Sequence, residues 1–508
     1  MILAQEGETG LVSRRLPEVH DPVALHAALT AEGGEAPILF RRTGGRALIL
    51  IDSALRLEGG SLSAKITATS EGGVLLLDRL AQRHAAQIAD HGDHVLHLRF
   101  KRCNHPDEDV RAAAPTPLDV LRSIIFGGTA LDRDDPFALV ALGIAGFDHV
   151  DMLEVLPPRA AGDFPDLLFL LAETLVVVEP SGATRILAMS VGSNDRTIAH
   201  RQHHLAAERV ARLADRCARA APLVEPEMPT VVQAEADLDD GAFMAAVARL
   251  KEHIAAGDIF QVVPSRSFRA PCDDGLAAFR RLVAADPSAY QYAFDTGHGL
   301  LFGASPETAL ELRRDGSRLM VSVSPIAGTR PRGATADGDD RLEADLRLDS
   351  KEVAEHLMLV DLARNDVARV SRTGTRQVVR MLGVERFARV MHLVSTVEGE
   401  VGDGFDAIDA MRACLNVGTL SGAPKLRAIE LIRSVETRAR GPYGGAIGWI
   451  AGNGTMDSAV VIRSALVRDG FAEVRAGAGV VQDSDPATEA AETRAKASAV
   501  LAALGAAA

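Results

Sequence analysis

Two segments far apart in this chain carry the same pair of acids at the same spacing. One holds Glu352 and Glu355, the other Glu489 and Glu492. Each pair is i,i+3, so on a helix both carboxylates lie on one face. Both segments read as helices. Asp349 precedes Glu352 by three residues, a variant of the capping box, and Asp485-Pro486 supplies a cap followed by a first-turn proline. If the two helices face each other, four carboxylates form a hard-oxygen site suited to a Mg²⁺ ion that keeps some water and holds an anionic substrate. If they do not, the acids are ordinary solvated groups on two surface helices.

The chain has 508 residues, enough for more than one structural region and ample core. With 47% hydrophobic and 24% charged residues it reads as a soluble globular protein. The net charge of −14, and the lack of any basic stretch interleaved with aromatics, weigh against nucleic acid and membrane as partners. A small anionic substrate remains compatible, because a local site can be positive on an acidic protein. Cys103, Cys217, Cys272 and Cys414 form no C-x-x-C and read as reduced thiols. Met1 to Arg15 lacks the pattern of a signal peptide. The apolar run Leu167 to Val178 is broken by Glu173 and is too short to span a bilayer. A cytoplasmic protein is expected.

Pro222, Pro226 and Pro229 mark Ala220 to Glu235 as a linker, dividing an N-terminal α+β region (1–225) from a larger C-terminal one (226–508). In the first, Ala47–Ile51 and Val95–Phe100 read as strands, and Leu167–Glu179 and Thr184–Val191 as a hairpin around Pro180-Ser181-Gly182. In the second, Phe243, Val247, Leu250 and Ile254 follow the helical period, with Asp239 or Asp240 as cap and Gly257 as stop. Strands are expected at Ile259–Pro264, Tyr290–Asp295, Leu300–Ala304, Met320–Val323, Ala446–Ala451, Ala459–Val467 and Glu473–Ala476.

Several residues could do chemistry. Gly477-Ala478-Gly479 follows a strand and reads either as an amide nest for a carboxylate or as a tight turn. The run Gly418 to Lys425 offers two hydroxyls and an ammonium ahead of a helix, but it lacks the Gly-Lys-Ser/Thr of a P-loop. Arg463, placed mid-strand among apolar neighbours, needs an anion, either structural or a substrate carboxylate. Glu307, at a strand end after Gly303-Ala304-Ser305-Pro306, is either a general acid with a raised pKa or a solvated turn residue. His392, in an apolar run, is either a functional or a hydrogen-bonded core histidine.

Taken together these segments resemble the chorismate-utilising enzymes, and among them the large subunits of anthranilate synthases. The resemblance is carried by Asp258 to Ser265 (DIFQVVPS), Phe302 to Glu307 (FGASPE), Pro325 to Gly333 (PIAGTRPRG) and Glu355 to Asp366 (EHLMLVDLARND). It continues through Val390 to Ser395 (VMHLVS), Gly418 to Lys425 (GTLSGAPK), Tyr443 to Gly445, Gly477 to Gly479 and Glu492 to Lys496 (ETRAK). It is dense from about Phe243 onward and looser before, through Ile51 to Arg56 and Ala172 to Leu175. It implies an α+β fold with a central antiparallel β-sandwich flanked by helices. It also implies Mg²⁺ held by Glu355 and Glu492, with Glu352 and Glu489 close by. Chorismate's ring carboxylate would meet the metal, Thr419 and the Gly477-Ala478-Gly479 turn. Its enolpyruvyl carboxylate would meet Arg463 and Tyr443, with Gly328 and Thr329 lining the pocket and Lys496 adding positive charge. Ammonia would attack C2 as Glu307 protonates the departing C4 oxygen, giving aminodeoxyisochorismate. His392 resembles the histidine needed for pyruvate loss and aromatisation.

Two positions separate the branches. Relatives that add water place a lysine base where this chain has Gln261, and relatives that aminate C4 place a lysine where it has Ala327. Both point to ammonia at C2. None of the four cysteines has the setting of a glutaminase nucleophile, so the resemblance implies a separate glutaminase subunit, hence a hetero-oligomer. Tryptophan-inhibited relatives carry an early acid-serine pair and a Pro-Tyr-Met after Asn-Pro-Ser. Here the segments read Ile38 to Thr43 (ILFRRT) and Asp286 to Gln291 (DPSAYQ), so weak feedback is expected. Tryptophan biosynthesis and a specialised pathway both suit the reading. Its rivals are an aminodeoxyisochorismate synthase that stops before pyruvate loss, and an inactive chorismate-binding regulatory subunit.

Overall fold

The computed structural model describes residues 3–31, 38–107, 110, 111, 113–132, 134–220, 226–229, 231–386 and 390–508. Alternation along the central strands explains its layers. Every residue of the strand Leu167–Val178 is buried, because strands cover one face and helices the other. Leu168 and Leu170 point into a core built almost wholly of strand residues, with Leu48, Leu50, Leu142, Tyr292 and Phe294. Leu167, Phe169 and Leu171 point the other way, into a core shared with the helices Glu71–Arg83 and Pro117–Phe126. Beyond Glu173 the phase inverts. Leu175 and Val177 face the strand core, while Val176 and Val178 face the helix Arg196–Ala218. The register against the strand Ala47–Gly59 slips at the same level, around Asp52 and Ser53, as a bulge requires.

Among the described residues, 23 strands form one hydrogen-bonded network. Its pairings are antiparallel except where Glu8–Val19 meets Thr129–Ala130. The architecture is α+β, a strand-on-strand core with helices outside. Strands from both halves of the sequence interleave: Ile38–Arg42 pairs with Tyr290–Asp295, and Val140–Ala145 with Ala446–Ala451. The proline-rich stretch between the halves falls partly on 221–225 and 230, outside the described residues. Its far end forms two short strands, Val232–Gln233 against Ala506–Ala507 and Glu235–Ala236 against Ser265–Pro271.

Most expected elements are present. Leu167–Val178 and Ala183–Val191 form the hairpin. The helix Asp240–Ala255 is capped by Asp239, which accepts from the Ala242 N–H, and Gly257 follows at φ +81°. Two expectations are corrected. Only Gln261–Val262 of the segment Ile259–Pro264 is a strand, because its partner Gly422–Ala423 is equally short. Ala459–Val467 is not one strand but parts of two, Met456–Val460 and Ser464–Arg468. The chain changes partners between them, from Thr308–Asp315 and Ala446–Ala451 to Leu300–Ser305. Among the described residues no helix is long and apolar enough to cross a membrane.

Candidate active site

The two acid pairs meet. The helix Ser350–Ala368 starts at Asp349, which accepts from the N–H groups of Lys351 and Glu352. The helix Pro486–Leu504 starts at Asp485, which accepts from Thr488. Burial, then the charges of Glu352 and Glu492, push Glu355 up to about 7. Burial and Glu492 also raise Glu489, whose Oε2 is buried without a hydrogen-bond partner among the described residues. Burial opposes ionisation of Glu492 too, but Lys496 donates to its Oε1 at 2.7 Å and holds it below the usual carboxylate range. These are not solvated acids on separate surfaces; they repel one another in one half-buried space. Among the described residues, no three acid, histidine or cysteine side chains form a ready metal-ligand set.

Gln261 borders the same space. Its Nε2 donates to Glu355 Oε1 at 2.9 Å, and its own Oε1 is buried without a partner among the described residues. The glycines beside these groups allow close approach. A Cβ on Gly479 would lie 3.1 Å from Gln261 Nε2 and 3.3 Å from Glu355 Oε1. One on Gly477 would lie 3.0 Å from the Tyr443 hydroxyl, and one on Gly328 would lie 3.2 Å from Glu352 Oε2. One expectation for this turn is corrected. The Ala478 N–H donates to the Pro264 carbonyl at 3.1 Å, so it has no proton to offer a ligand.

Glu307 sits between the strands Leu300–Ser305 and Thr308–Asp315 and is 6% exposed. Burial pushes its carboxyl up to about 7, while the Thr419 hydroxyl, donating to Oε1 at 2.7 Å, and the charge of Lys496 pull it down. A carboxyl balanced near neutrality can donate a proton. Lys496 Nζ also donates to the Gly477 carbonyl at 3.1 Å, which places it between Glu492, Gly477 and Glu307.

His392 lies on the strand Val390–Glu400, facing Ile326–Pro331. Its Nδ1 is 3.1 Å from the Gly328 carbonyl and 3.1 Å from Thr329 Oγ1. A carbonyl only accepts, so the neutral ring carries its hydrogen on Nδ1 and Nε2 is the atom that can take a proton. Burial pushes the ring down to about 4, with help from the charges of Arg463 and Lys496, so it is neutral at physiological pH.

Arg463 is not in mid-strand. It occupies the break between two strands at φ +49°, where the chain changes partners. Burial lowers its pKa, against the charges of Asp286, Tyr443 and Glu492, yet among the described residues no carboxylate stands within ion-pair distance. A half-buried guanidinium without an acid is uncompensated, and an anion would stabilise it. The Tyr443 hydroxyl, raised by burial, belongs to the same neighbourhood. A cavity of about 250 Å³ is lined by Tyr443 together with Arg159, Phe164 and Arg438, and none of the acid pairs lines it.

Two groups were not anticipated. Arg330 donates to Asp345 and to the cap Asp349, and lies 3.5 Å from Glu352, so it orients the acid helix. Glu436, Arg440 and Arg475 form a buried ionic cluster beneath the site.

Comparison with known proteins gives the family. The family model described as chorismate binding enzyme matches residues 74–502. The chain is 45% identical over 476 residues to the pyocyanine-specific anthranilate synthase component 1 of Pseudomonas aeruginosa strain PAO1, covering 91% of this chain and 87% of that one. It is 40% identical over 504 residues to anthranilate synthase component 1 of Vibrio cholerae, covering 96% and 95%. Its fold matches the crystal structure of anthranilate synthase component I from Streptococcus pneumoniae, with a TM-score of 0.66, 28% identity and coverage of 90% and 92%. The chain belongs to the chorismate binding enzyme family, grouping with anthranilate synthase component 1.

Proposed function

We propose that this member of the chorismate binding enzyme family converts chorismate and ammonia to anthranilate and pyruvate through aminodeoxyisochorismate, with Mg²⁺ as cofactor. The observation that carries the reading is Gln261 against Glu355: a neutral amide stands at the acid cage where a water-adding enzyme needs a base. The amide cannot deprotonate water, whereas ammonia already carries its lone pair.

The donors suit the metal. Glu355 is held near neutrality by its neighbours' charge, and Glu489 keeps a buried oxygen without a partner among the described residues. A divalent cation relieves both, and Mg²⁺ typically takes one or two carboxylates and completes its shell with water and substrate. Glu355 and Glu492 would hold it, with Glu352 and Glu489 close by. When bound, the ion supplies charge that holds the ring carboxylate and draws electron density from the ring.

The chain's own groups do the rest. Arg463 and Tyr443 bind the enolpyruvyl carboxylate, and Thr419 and Gly479 border the ring carboxylate. Lys496 adds positive charge. Glu307 keeps a proton for the C4 oxygen as ammonia attacks C2. Gly328 and Thr329 hold His392 so that Nε2 takes the C2 proton while pyruvate leaves. Ammonia comes from a separate glutaminase subunit in a cytoplasmic hetero-oligomer; the relatives' designation as component 1 supports a second component. Feedback by tryptophan is weak in this reading. Ammonium-dependent formation of anthranilate by the chain alone tests the proposal, and the product distinguishes it from an enzyme that stops at aminodeoxyisochorismate.

A further inference from the structure

Arg440 is 5% exposed and donates to three groups. Its Nε and one terminal nitrogen meet Glu436 at 2.6 to 3.1 Å. The other terminal nitrogen donates to the Leu420 carbonyl at 2.7 Å, and the first also reaches the Val263 carbonyl at 2.6 Å. The guanidinium carbon lies 5.8 Å from the centre of the Tyr443 ring and 4.2 Å from that of Phe147. Glu436 in turn accepts from the Ser265 N–H at 2.9 Å and hydroxyl at 2.7 Å, and from Arg475 at 2.8 Å.

Each contact ends next to a group assigned above. Leu420 follows Thr419, the donor to Glu307. Val263 is two residues from Gln261, the donor to Glu355. Ser265 pairs with Gly477, beside Lys496 and Tyr443. The Gln261 and Thr419 segments already meet through Gln261–Val262 against Gly422–Ala423 and the Val263 N–H on the Ser421 carbonyl, and the guanidinium ties this short pairing to Glu436 and the Tyr443 turn. A planar guanidinium with five fixed donors can hold two carbonyls and a carboxylate at once, which an ammonium cannot.

We propose that Arg440, anchored by Glu436, is a positioning residue of this active site: one buried guanidinium fixes the paired Thr419 and Gln261 segments against Tyr443 and the Glu436 anchor. The proposal rests on the assignment of Glu307 as the general acid. Among the described residues, Thr419 from its loop and Lys496 from the C-terminal helix act on that carboxyl, and Arg440 bears on the first of them through Leu420.

The test is Arg440→Lys in the full chain, assayed with chorismate, Mg²⁺ and saturating free ammonia across pH. Wild type must turn over; if it does not, the functional reading fails, not this one. The variant is expected to fold, by circular dichroism, and to lose about 100-fold in kcat/KM, the scale of a small misplacement. The alkaline limb of kcat should move to higher pH, because Glu307 loses the Thr419 donor that keeps it acidic. Thr419→Val should give the same displacement and the double variant no more. If Arg440→Lys does not fold, Glu436→Gln keeps the shape and loosens the anchor, and should displace the limb in the same direction. A folded Arg440→Lys or Glu436→Gln protein with a wild-type limb and lower amplitude alone overturns the proposal.

Discussion

Thr419 Oγ1 donates to Glu307 Oε1 at 2.7 Å. Burial favours the neutral carboxyl, the hydroxyl and the charge of Lys496 favour the ionised one, and the balance pushes Glu307 up to about 7. A general acid needs that poise, and removing it costs about 10² to 10⁴ in rate. Glu307→Gln keeps the volume and a hydrogen-bonding group but has no acidic proton. Turnover should fall at least 100-fold while chorismate binding, measured by calorimetry, stays within a few-fold. Unchanged turnover refutes the role.

The same carboxyl should weaken the fold at alkaline pH. Its pKa is higher in the folded protein than in the unfolded chain, so the folded state binds the proton more tightly. Wild-type stability is therefore unaffected by this group below the ordinary carboxylate range, and declines as pH rises from there to about 7. Above that the cost of burying the charge is on the order of 3 kcal/mol. Glu307→Gln should raise the melting temperature over wild type more at pH 8 than at pH 4.5. An equal difference at both values contradicts the raised pKa.

With Nδ1 held by the Gly328 carbonyl, Nε2 of His392 is the base the proposed second half-reaction calls for. His392→Asn should still consume chorismate but accumulate aminodeoxyisochorismate, seen by chromatography with mass detection. Wild-type anthranilate yield from this variant removes His392 from the mechanism.

Arg42 lies 3.2 Å from both Asp457 and Glu311 and over the Tyr290 ring. Tyr290 donates to Asp457 at 2.8 Å. The segments that lack the acid-serine pair and the Pro-Tyr-Met are thus tied together by the chain's own charges. Little inhibition is expected at submillimolar tryptophan in a steady-state titration; full inhibition there contradicts weak feedback.

The acid pairs were legible in the sequence because their spacing and caps are local. Glu352 and Glu355 share a helix face whatever surrounds them, and Asp349 and Asp485 sit where a cap must. The strands Tyr290–Asp295 and Ala446–Ala451 were legible as short apolar runs. Arg463 was misplaced because the break at that residue comes from a change of strand partners, which no local pattern encodes. The Ala478 amide was misassigned because its acceptor, the Pro264 carbonyl, lies on another strand. Arg440 went unnoticed for a similar reason: Glu436 is near in sequence, but the Leu420 and Val263 carbonyls are brought to it only by the fold.

Anthranilate fluorescence from the purified chain, given chorismate, Mg²⁺ and ammonium at alkaline pH without any glutaminase, tests the central claim most directly. The account predicts a signal that requires ammonium and disappears on adding a chelator. Chorismate left unconsumed under those conditions contradicts it, and identifies a binding or regulatory subunit instead of an enzyme.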